Sequence, residues 1–478
     1  MPGCDLLIRD VEIMDGSGGT PRSGSVAIAG GRVQALGDLR GYSAEENFDG
    51  AGKTVAPGFI DVHTHDDLYL VRHPGMLPKL SQGVTTVITG NCGISASPVT
   101  LEHGFPAPMN LLGEASDFCY PSFGEYVEAV AGARPAVNVA ALVGHTALRN
   151  NHMDRLDRTA DAREIAAMKA QLSEALSRGA LGLSTGLAYQ AAYTASTEEV
   201  AGLAGPLAEA GAVYTTHMRT EADGVLEAMD EACGIGRQAR VPVIISHLKC
   251  YGVDNWGRSG EVLQSLEAAS GKQTVGWDCY PYAASSTVLD SRQIDERVTI
   301  VVTWSRSHPQ MAGKTLAEIA RAWGITQLEA AQRLQPAGAI YHSMAEDDVR
   351  AILRHPGTMI GSDGLPNDVF PHPRLWGTFP RVLGHYAREQ KLFSLSEAVR
   401  RMTSLPAQRF GLTGRGGIRE GYSADLVLFD RETVRDAASF ENPMQPAVGI
   451  EAVWVNGVLS YRARQATGKR AGRFLARN

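Results

Sequence analysis

The sequence predicts an α/β protein: a barrel of eight β-α units, with a small β domain formed by the two ends of the chain. Short strand-like segments separated by glycine-rich turns occur at both ends, and strands alternate with amphipathic helices through the middle. The length of 478 residues accommodates a barrel of about 250 residues or more and a second domain. An open, doubly wound sheet is the alternative architecture that the same alternation allows.

The two ends of the chain are typical of short strands joined by tight turns. Residues 5–55 hold several apolar runs of strand length, separated by glycine pairs. Near the other end, Ile450–Val455 is followed by Asn456-Gly457, a dipeptide typical of two-residue hairpins. We therefore expect residues 1–55 and 415–478 to form one β domain.

Residues 56–414 contain eight candidate strands separated by helical patterns. Ile165, Met168 and Leu172 recur at helical spacing, which predicts an amphipathic helix. Capping-box spacing, which marks helix starts, occurs at Ser196–Glu199, Thr315–Glu318 and Ser394–Glu397. The candidate strands are Phe59–His65, Val84–Gly90, Asn138–His145, Ala180–Gly186, Ala212–Met218, Val241–Leu248, Thr274–Tyr280 and Thr358–Asp363. We expect these strands to build a (β/α)8 barrel.

The segment between the seventh and eighth candidate strands, at about residues 283–345, is longer than the other crossovers. It holds two short helical patterns, Thr315–Trp323 and Thr326–Leu334. An insertion at the carboxyl end of a barrel strand lies over the active face, so we expect a lid or a substrate loop. A surface decoration without a role in the site is the alternative.

Composition excludes several classes of function. The formal net charge is −7, with 44% hydrophobic residues, so neither a nucleic-acid partner nor an anionic membrane is indicated. No run of 18 apolar residues and no signal-peptide pattern occurs, which favours a cytoplasmic protein. The six cysteines are widely scattered, as expected for reduced thiols rather than a disulfide framework.

Potential metal ligands occur at five of the eight candidate strand ends. His63 and His65 have i, i+2 spacing, which points both imidazoles to one face of a strand. The other four ends carry Cys92, His217, His247 and Asp363. A single histidine at a strand end is more often a hydrogen-bonded structural residue. Five such ends, in a fold whose active site is built there, predict a metal site.

These features resemble the amidohydrolase superfamily. The resemblance rests on Ala56–His65, on single histidines after candidate strands five and six, and on the aspartate after strand eight. It extends to Ala424–Val427 and so covers nearly the whole chain. It implies a distorted (β/α)8 barrel with a β-sandwich built from both chain ends.

Shorter motifs resemble one branch of that superfamily, the N-acyl-D-amino-acid deacylases. These motifs are Gly90–Ser95, Gly182–Gly186, Ser246–Lys249 and Asp278–Tyr282. The resemblance implies a zinc enzyme that hydrolyses the amide bond of N-acyl-D-amino acids to a carboxylate and a free D-amino acid. Dihydroorotases and hydantoinases use a carboxylated lysine after strand four, whereas Arg178–Tyr189 contains no lysine.

The donor chemistry gives each candidate ligand an expected role. One zinc ion is expected to be held tightly by Cys92, His217 and His247. A second, weaker site is expected from His63, His65 and Asp363. Asp363 is also the candidate catalytic residue, a general base that passes a proton from water to the leaving amine. The alternatives are that Cys92 is a buried apolar residue and that Asp363 only supports the ligands.

The same resemblance assigns substrate-binding residues. They are Tyr189, Lys249, Tyr280, Ser286 and Arg374, which fall where family members bind the amino-acid part. Arginine suits a bidentate grip on a carboxylate, and lysine offers a point charge. His145 ends the third candidate strand and is expected to support the site without binding metal.

The sequence leaves side-chain specificity open. Gln190–Ala192 stands where the family has a proline-rich continuation. Arg292 and Arg297, in the insertion, would suit an acidic substrate such as an N-acyl-D-glutamate, or would pair with neighbouring acidic residues.

Three other functions remain open at this stage: deamination, cyclic-amide opening, and metal binding without catalysis. The first two keep the metal site and change the reaction. The expected partner in the leading hypothesis is a small N-acyl amino acid, and the sequence does not indicate an oligomeric state.

Overall fold

The computed structural model describes residues 2–477 as an α/β protein with several sheets. The strands are β1 (Gly3–Ile13), β2 (Arg22–Ala29), β3 (Arg32–Gly37), β4 (Ser43–Asp49), β5 (Thr54–Pro57), β6 (Phe59–Asp61), β7 (Val84–Thr89), β8 (Asn138–Ala141), β9 (Val143–Gly144), β10 (Gly182–Gly186), β11 (Val213–His217), β12 (Val243–Ile245), β13 (Val275–Cys279), β14 (Ser285–Val288), β15 (Ile300–Ser305), β16 (Ala337–Tyr341), β17 (Thr358–Ile360), β18 (Leu426–Phe429), β19 (Ile450–Val455), β20 (Val458–Arg462) and β21 (Gln465–Ala466).

The helices lie mainly between the strands of the middle region. They are α1 (Tyr69–Arg72), α2 (Leu77–Leu80), α3 (Phe123–Ala133), α4 (His145–His152), α5 (Ala162–Ser177), α6 (Thr197–Leu203), α7 (Gly205–Ala210), α8 (Val225–Ala239), α9 (Ser259–Ser270), α10 (Leu316–Trp323), α11 (Gln327–Leu334), α12 (Glu346–Arg354), α13 (Arg374–Arg381), α14 (Leu395–Met402) and α15 (Ser404–Arg409). A π-helix, Val382–Glu389, follows α13. Within residues 2–477, no helix is both long and apolar enough to cross a membrane.

Strands from both ends of the chain form one nine-stranded sheet. Its order is β21-β20-β19-β18-β5-β1-β2-β3, and β4 pairs with β1. The predicted hairpin between β19 and β20 is confirmed: Asn456 and Gly457 both have positive φ, at 49° and 80°. Apolar side chains of this sheet, among them Ile8, Val26 and Trp454, are buried together. The outermost residue at each end of the chain lies outside the described residues.

All eight candidate strands of the middle region are present, and each is shorter than predicted. They pair in parallel in two sheets, β6-β7-β8 and β17-β13-β12-β11-β10-β9. The third candidate strand is divided into β8 and β9. An isolated parallel bridge joins Thr64, after β6, to Gly364, after β17. Side chains from successive strands, including Ile60, Ile88 and Ile244, share one apolar cluster.

The long segment between β13 and β17 has its own small fold. Strands β14, β16 and β15 form an antiparallel sheet, and α10 and α11 pack on it. Leu289, Leu316 and Tyr341 are buried in the apolar cluster of this unit. The two helical patterns predicted in this segment are therefore confirmed.

Helix starts follow the predicted capping chemistry. Ser196, Thr315 and Ser394 each accept a hydrogen bond from the backbone N–H of the glutamate three residues later. Such caps satisfy amide groups that the first helical turn leaves free. The sequence located these three helices correctly.

Candidate metal centre and substrate cavity

The loop after β7 turns sharply to carry Cys92. Gly90 and Cys92 both lie in the left-handed region, with φ of 76° and 54°. A Cβ at Gly90 would lie 2.1 Å from the carbonyl oxygen of Leu142, so glycine is required there. The turn leaves Cys92 fully buried among the neighbouring strand ends.

The prediction that His63 and His65 lie on a continuous strand is wrong. Strand β6 ends at Asp61. The chain bends at Val62 and His63, and Thr64 then donates its N–H to Ile88 and forms the bridge to Gly364. Both imidazoles still reach the same cluster of candidate ligands. The backbone that carries them is positioned by an isolated bridge rather than by a regular strand.

Strain marks two further candidate ligands. His247 and Asp363 follow β12 and β17, and their φ angles are 37° and 50°. Side-chain-bearing residues adopt this region at a cost, and such strain concentrates at functional sites. His217 instead ends β11 in regular pairing with Gly186.

The six candidate ligands meet in two groups that share Cys92. The first group is Cys92, His217 and His247. The second group is His63, His65, Cys92 and Asp363. Within each group the donor atoms all lie within 4.8 Å of one another.

Cys92 lies between the two groups. Its Sγ is 3.1 Å from Nε2 of His63 and 3.3 Å from Nε2 of His247. On the other side, Oδ1 of Asp363 is 3.1 Å from Nε2 of His65 and 3.4 Å from Nε2 of His63. Cys92 would therefore belong to the donor set of both candidate sites.

The electrostatics favour ionised donors. Burial opposes ionisation of Cys92, but positive charge on His63 and His247 outweighs it and holds the pKa of the thiol well below its usual range. Burial also opposes ionisation of Asp363, but Arg374 and His63 hold its pKa well below the ordinary value. Burial opposes the charge on His65, but its hydrogen bond to Asp363 raises its pKa to about 9.

Two carboxylates orient the histidines, and the sequence analysis missed both. Nδ1 of His247 is 2.9 Å from Oε1 of Glu221, and Nδ1 of His63 is 3.5 Å from Oδ2 of Asp278. A carboxylate on the outer ring nitrogen fixes a ligand histidine's orientation and tautomer. Asp278 begins a motif already singled out, and Glu221 stands four residues after His217.

The residues present fit zinc. A thiolate, imidazoles and a carboxylate are the donors that zinc prefers. A cation would also compensate the buried thiolate and carboxylate that otherwise rely on protonated histidines. The first group supplies three protein donors, the number that catalytic zinc sites use.

A cavity of about 330 Å³ opens over this cluster, and we call it the active cavity. His65, His217, His247 and Asp363 line it. Of the five predicted substrate-binding residues, Tyr189, Lys249, Tyr280 and Ser286 also line it. Arg374, the fifth, is fully buried, with its guanidinium 4.6 Å from the centre of the Tyr280 ring.

Several buried donors in the wall of the active cavity, or directly behind that wall, have no protein partner within residues 2–477. They are the Tyr280 hydroxyl, the Ser286 hydroxyl, and Nε and Nη1 of Arg374. Nη2 of Arg374 lies 2.9 Å from Oδ2 of Asp363 and donates to the carbonyl of Ser286. Unpaired buried donors are costly, so these groups are candidates for hydrogen bonds to the acceptor oxygens of a ligand.

Two predicted substrate-binding residues already have partners. Nζ of Lys249 lies 2.6 Å from Oε1 of Glu221, so its charge is partly balanced. The Tyr189 hydroxyl is 3.0 Å from Oγ1 of Thr287 in the inserted segment. The Tyr189 ring also packs against His217, with centroids 4.9 Å apart.

His145 lies away from both groups of candidate ligands. It is fully buried and 3.0 Å from Oε1 of Glu199. Burial lowers its pKa, which favours a neutral imidazole. Its contact with Glu199 indicates a structural role.

The two arginines of the insertion differ in position. Arg292 lines the active cavity and pairs with Asp290 at 2.5 Å. Arg297 does not line it, and pairs with Asp254 and Asp295. The structure therefore leaves Arg292 as the insertion's candidate for contact with an acidic side chain.

Comparison with known proteins identifies the class. A model of the amidohydrolase family matches residues 46–258 and 267–461, and the chain belongs to that family. It is 48% identical over 473 residues to a D-aminoacylase of Alcaligenes xylosoxydans xylosoxydans, covering 99% of this chain and 98% of that protein. The membership predicted from the sequence is confirmed.

Two solved structures are similar along the whole chain. A D-aminoacylase with a binuclear metal centre, activated by one metal and attenuated by a second, matches with a TM-score of 0.97 and 48% identity. An N-acyl-D-glutamate deacylase of Bordetella bronchiseptica, complexed with zinc and a phosphonate mimic of the tetrahedral intermediate, matches with a TM-score of 0.96 and 45% identity. Each alignment covers 99% of this chain and 100% of the other.

Proposed function

We propose that this protein is a zinc-dependent amidohydrolase that converts N-acyl-D-amino acids to a carboxylate and a free D-amino acid. One observation carries the proposal: a cluster of zinc-type donors and a set of unpartnered hydrogen-bond donors lie at or directly beside one cavity. The 48% identity to a D-aminoacylase over nearly the full length supports the same reaction and the D configuration.

Residues of the two groups would hold the metal. Cys92, His217 and His247 would bind one zinc ion tightly, and His63, His65 and Asp363 would form a second, weaker site. Zinc in such a site supplies Lewis-acid chemistry that polarises a carbonyl and makes water more acidic. Glu221 and Asp278 keep the ring nitrogens of His247 and His63 aimed at the cluster.

Asp363 is the proposed general base. Its carboxylate takes a proton from the attacking water and returns it to the leaving amine, so that the C–N bond breaks with a neutral leaving group. Arg374 and His65 hold the two carboxylate oxygens on opposite sides, which fixes their direction. Such orientation preserves the geometry that proton transfer requires.

The substrate carboxylate is the proposed partner of the unpaired donors. Nε and Nη1 of Arg374 and the hydroxyls of Tyr280 and Ser286 supply hydrogen bonds for its oxygens. Lys249 adds positive charge nearby, and Glu221 partly balances that charge. Tyr189 limits the active cavity on the His217 side.

We also propose the architecture that positions this site. Strands β6–β13 and β17 form a closed, distorted (β/α)8 barrel over residues 56–414, with a lid-like insertion at about 283–345. The Thr64–Gly364 bridge between the first and last strand segments supports closure, which an open doubly wound sheet would lack. Residues 1–55 and 415–478 form the β-sandwich, since the single sheet branches where β1 pairs with β2, β4 and β5.

The proposed function is tested by amine release from zinc-loaded protein. The substrates are N-acetyl-D-leucine, N-acetyl-D-glutamate and their L-enantiomers, with Asp363→Asn and metal-stripped protein as controls. Release from the D compounds alone, reduced by about 10²–10⁴ in the variant, supports the proposal. Absence of release from all four would contradict it and favour deamination or another amide. The ratio of the two D substrates measures the acidic preference that Arg292 would supply.

A further inference from the structure

A second cavity, of about 760 Å³, adjoins the active cavity and has no part in the mechanism above. The two cavities share Tyr189, Asp290 and Arg292 in their walls. The rest of the second cavity lies between the loops after β7, β9 and β10 and the inserted segment. Tyr189, Asp290 and Arg292 therefore form the boundary between the two cavities.

Hydrogen bonds hold the walls of the second cavity in place. Nδ2 of Asn150 donates to the carbonyl of Gly104, and Nε of Arg149 donates to the carbonyl of Ala191, both at 3.2 Å. On the inserted side, Nε2 of Gln335 donates to the carbonyl of Leu289 at 2.6 Å. The cavity is thus pre-formed, as small-molecule sites usually are.

The chemistry of these walls suits a neutral, apolar ligand. Phe105, Leu156 and Val288 present partly exposed apolar side chains to the second cavity, beside neutral amides such as those of Gln332 and Gln335. The carboxylates in the wall are each balanced by an arginine: Asp154 by Arg158, Asp157 by Arg155, and Asp290 by Arg292. Paired charges offer little to a second carboxylate, whereas the apolar side chains gain from burying methylene groups.

The position of the second cavity relative to the site indicates which part of the substrate would enter it. Lys249, Tyr280 and Ser286, which face the substrate carboxylate in the proposed function, line the active cavity and not the second cavity. The second cavity instead begins at Tyr189, whose ring packs on the candidate ligand His217. In an N-acyl amino acid, the acyl chain extends from the amide carbonyl in the direction away from the carboxylate.

We propose that the second cavity binds the acyl group, and that the enzyme acts on N-acyl-D-amino acids whose acyl chains are much longer than acetyl. This inference rests on the proposed function and deepens it. Gln190–Ala192, the segment that departs from the family, contributes Gln190 and Ala191 to this wall. An acyl chain would pass the Tyr189–Thr287 hydrogen bond and lie on the apolar side chains beyond it.

The test compares N-acetyl-, N-hexanoyl- and N-decanoyl-D-leucine as substrates of the zinc-loaded enzyme. We expect kcat/KM for the hexanoyl compound to exceed that for the acetyl compound by about tenfold or more, since apolar pockets reward added methylenes. Gln190→Trp places an indole in the second cavity. It should lower the hexanoyl-to-acetyl ratio by about fourfold for each methylene that it excludes. Gln238→Trp, on the exposed face of α8 and outside both cavities, is the matched control and should leave the ratio unchanged.

Equal kcat/KM for all three chain lengths in the unmodified enzyme would overturn the inference. So would a Gln190→Trp variant that loses acetyl and hexanoyl turnover in the same proportion. If none of the three compounds is hydrolysed, the proposed function fails, and binding decides the inference separately. In that case calorimetry with Asp363→Asn should give a dissociation constant at least about tenfold lower for N-hexanoyl- than for N-acetyl-D-leucine. Equal constants would overturn the acyl cavity.

Discussion

Nζ of Lys79 lies 2.8 Å from Oδ2 of Asp61, and neither side chain is exposed to solvent. The same ammonium group donates to Oγ of Ser362 at 3.0 Å and lies 3.2 Å from Oδ2 of Asp66. Asp61 also accepts the N–H of Ser362 at 2.8 Å. One buried cation therefore ties the end of β6 to the segment that follows β17.

This ion cluster predicts the first consequence of mutation. Lys79→Met removes the cation and leaves the buried carboxylates of Asp61 and Asp66 without it. Breaking a buried pair in this way costs about 3–5 kcal/mol of unfolding free energy. Urea denaturation of Lys79→Met and of the exposed control Lys272→Met measures the effect. A loss below about 1 kcal/mol in Lys79→Met, or an equal loss in the control, would show that the cluster contributes little.

The same variant should affect the two proposed zinc sites unequally. The weaker site is close in sequence to the ion cluster: Asp61 lies two residues before His63, Asp66 follows His65, and Ser362 precedes Asp363. None of the three lies next to Cys92, His217 or His247 in sequence. We expect zinc affinity at the weaker site to fall about 10–100-fold, the usual effect of removing a group that positions ligands. Affinity at Cys92, His217 and His247 should change less. Competition titrations with a chelator measure the zinc affinity of both sites. An equal loss of affinity at the two sites would contradict the prediction. Arg149→Met, which breaks a remote buried pair with Glu199, is the structural control.

Most candidate ligands were predictable because each follows a strand in sequence, and parallel strands bring their carboxyl ends together. Lys79 and Glu221 were not. Lys79 is separated from Ser362 by 283 residues, and Glu221 is separated from His247 by 26, so the contacts depend on tertiary packing. In the sequence alone, nothing distinguishes these two charged residues from residues on the surface, because only the fold shows that they are buried.

For the fold, too, the features set by neighbouring residues were predictable, and those set by long-range contacts were not. The N-cap at Ser196, the capping box at Thr315 and the Asn456-Gly457 turn depend on neighbouring residues, and the structure has them where they were predicted. Strand lengths were overestimated: β12 and β17, for example, end at Ile245 and Ile360, where the chain turns into the site. His247 and Asp363 lie beyond their strands in left-handed backbone, which tertiary contacts impose against local preference.

A buried carboxylate away from the site predicts how stability depends on pH. Burial alone would raise the pKa of Glu199, but His145 and Arg149 outweigh it and lower that pKa to about 2. The folded state thus binds the Glu199 proton more weakly than the unfolded chain, whose value is near 4.5. The group contributes its full stabilisation, about 3 kcal/mol, above pH 4.5 and loses it as the pH falls towards 2.

Comparing the unmodified protein with Glu199→Gln isolates that contribution. The difference in unfolding free energy should be largest near pH 7 and should shrink between pH 4.5 and pH 3. Chemical denaturation across this range measures it, with the exposed Glu209→Gln as the control. A difference that stays constant with pH would mean that Glu199 does not titrate as its ion pairs require.

The unpaired donors of the active cavity predict a specific kinetic pattern. Tyr280→Phe and Ser286→Ala each remove one hydroxyl that has no partner among residues 2–477 and that faces the proposed carboxylate position. We expect each to raise KM for N-acetyl-D-leucine about tenfold or more, the value of a hydrogen bond to a charged group, with a smaller change in kcat. N-acetyl-D-leucinamide, which lacks the carboxylate, should be affected less, so the preference for acid over amide should fall. Tyr282→Phe is the matched control, since its buried hydroxyl is also unpaired but does not line the active cavity. A preference that Tyr280→Phe and Ser286→Ala leave intact would mean that these hydroxyls bind something other than the carboxylate, and the assignment of this end of the cavity would have to be abandoned.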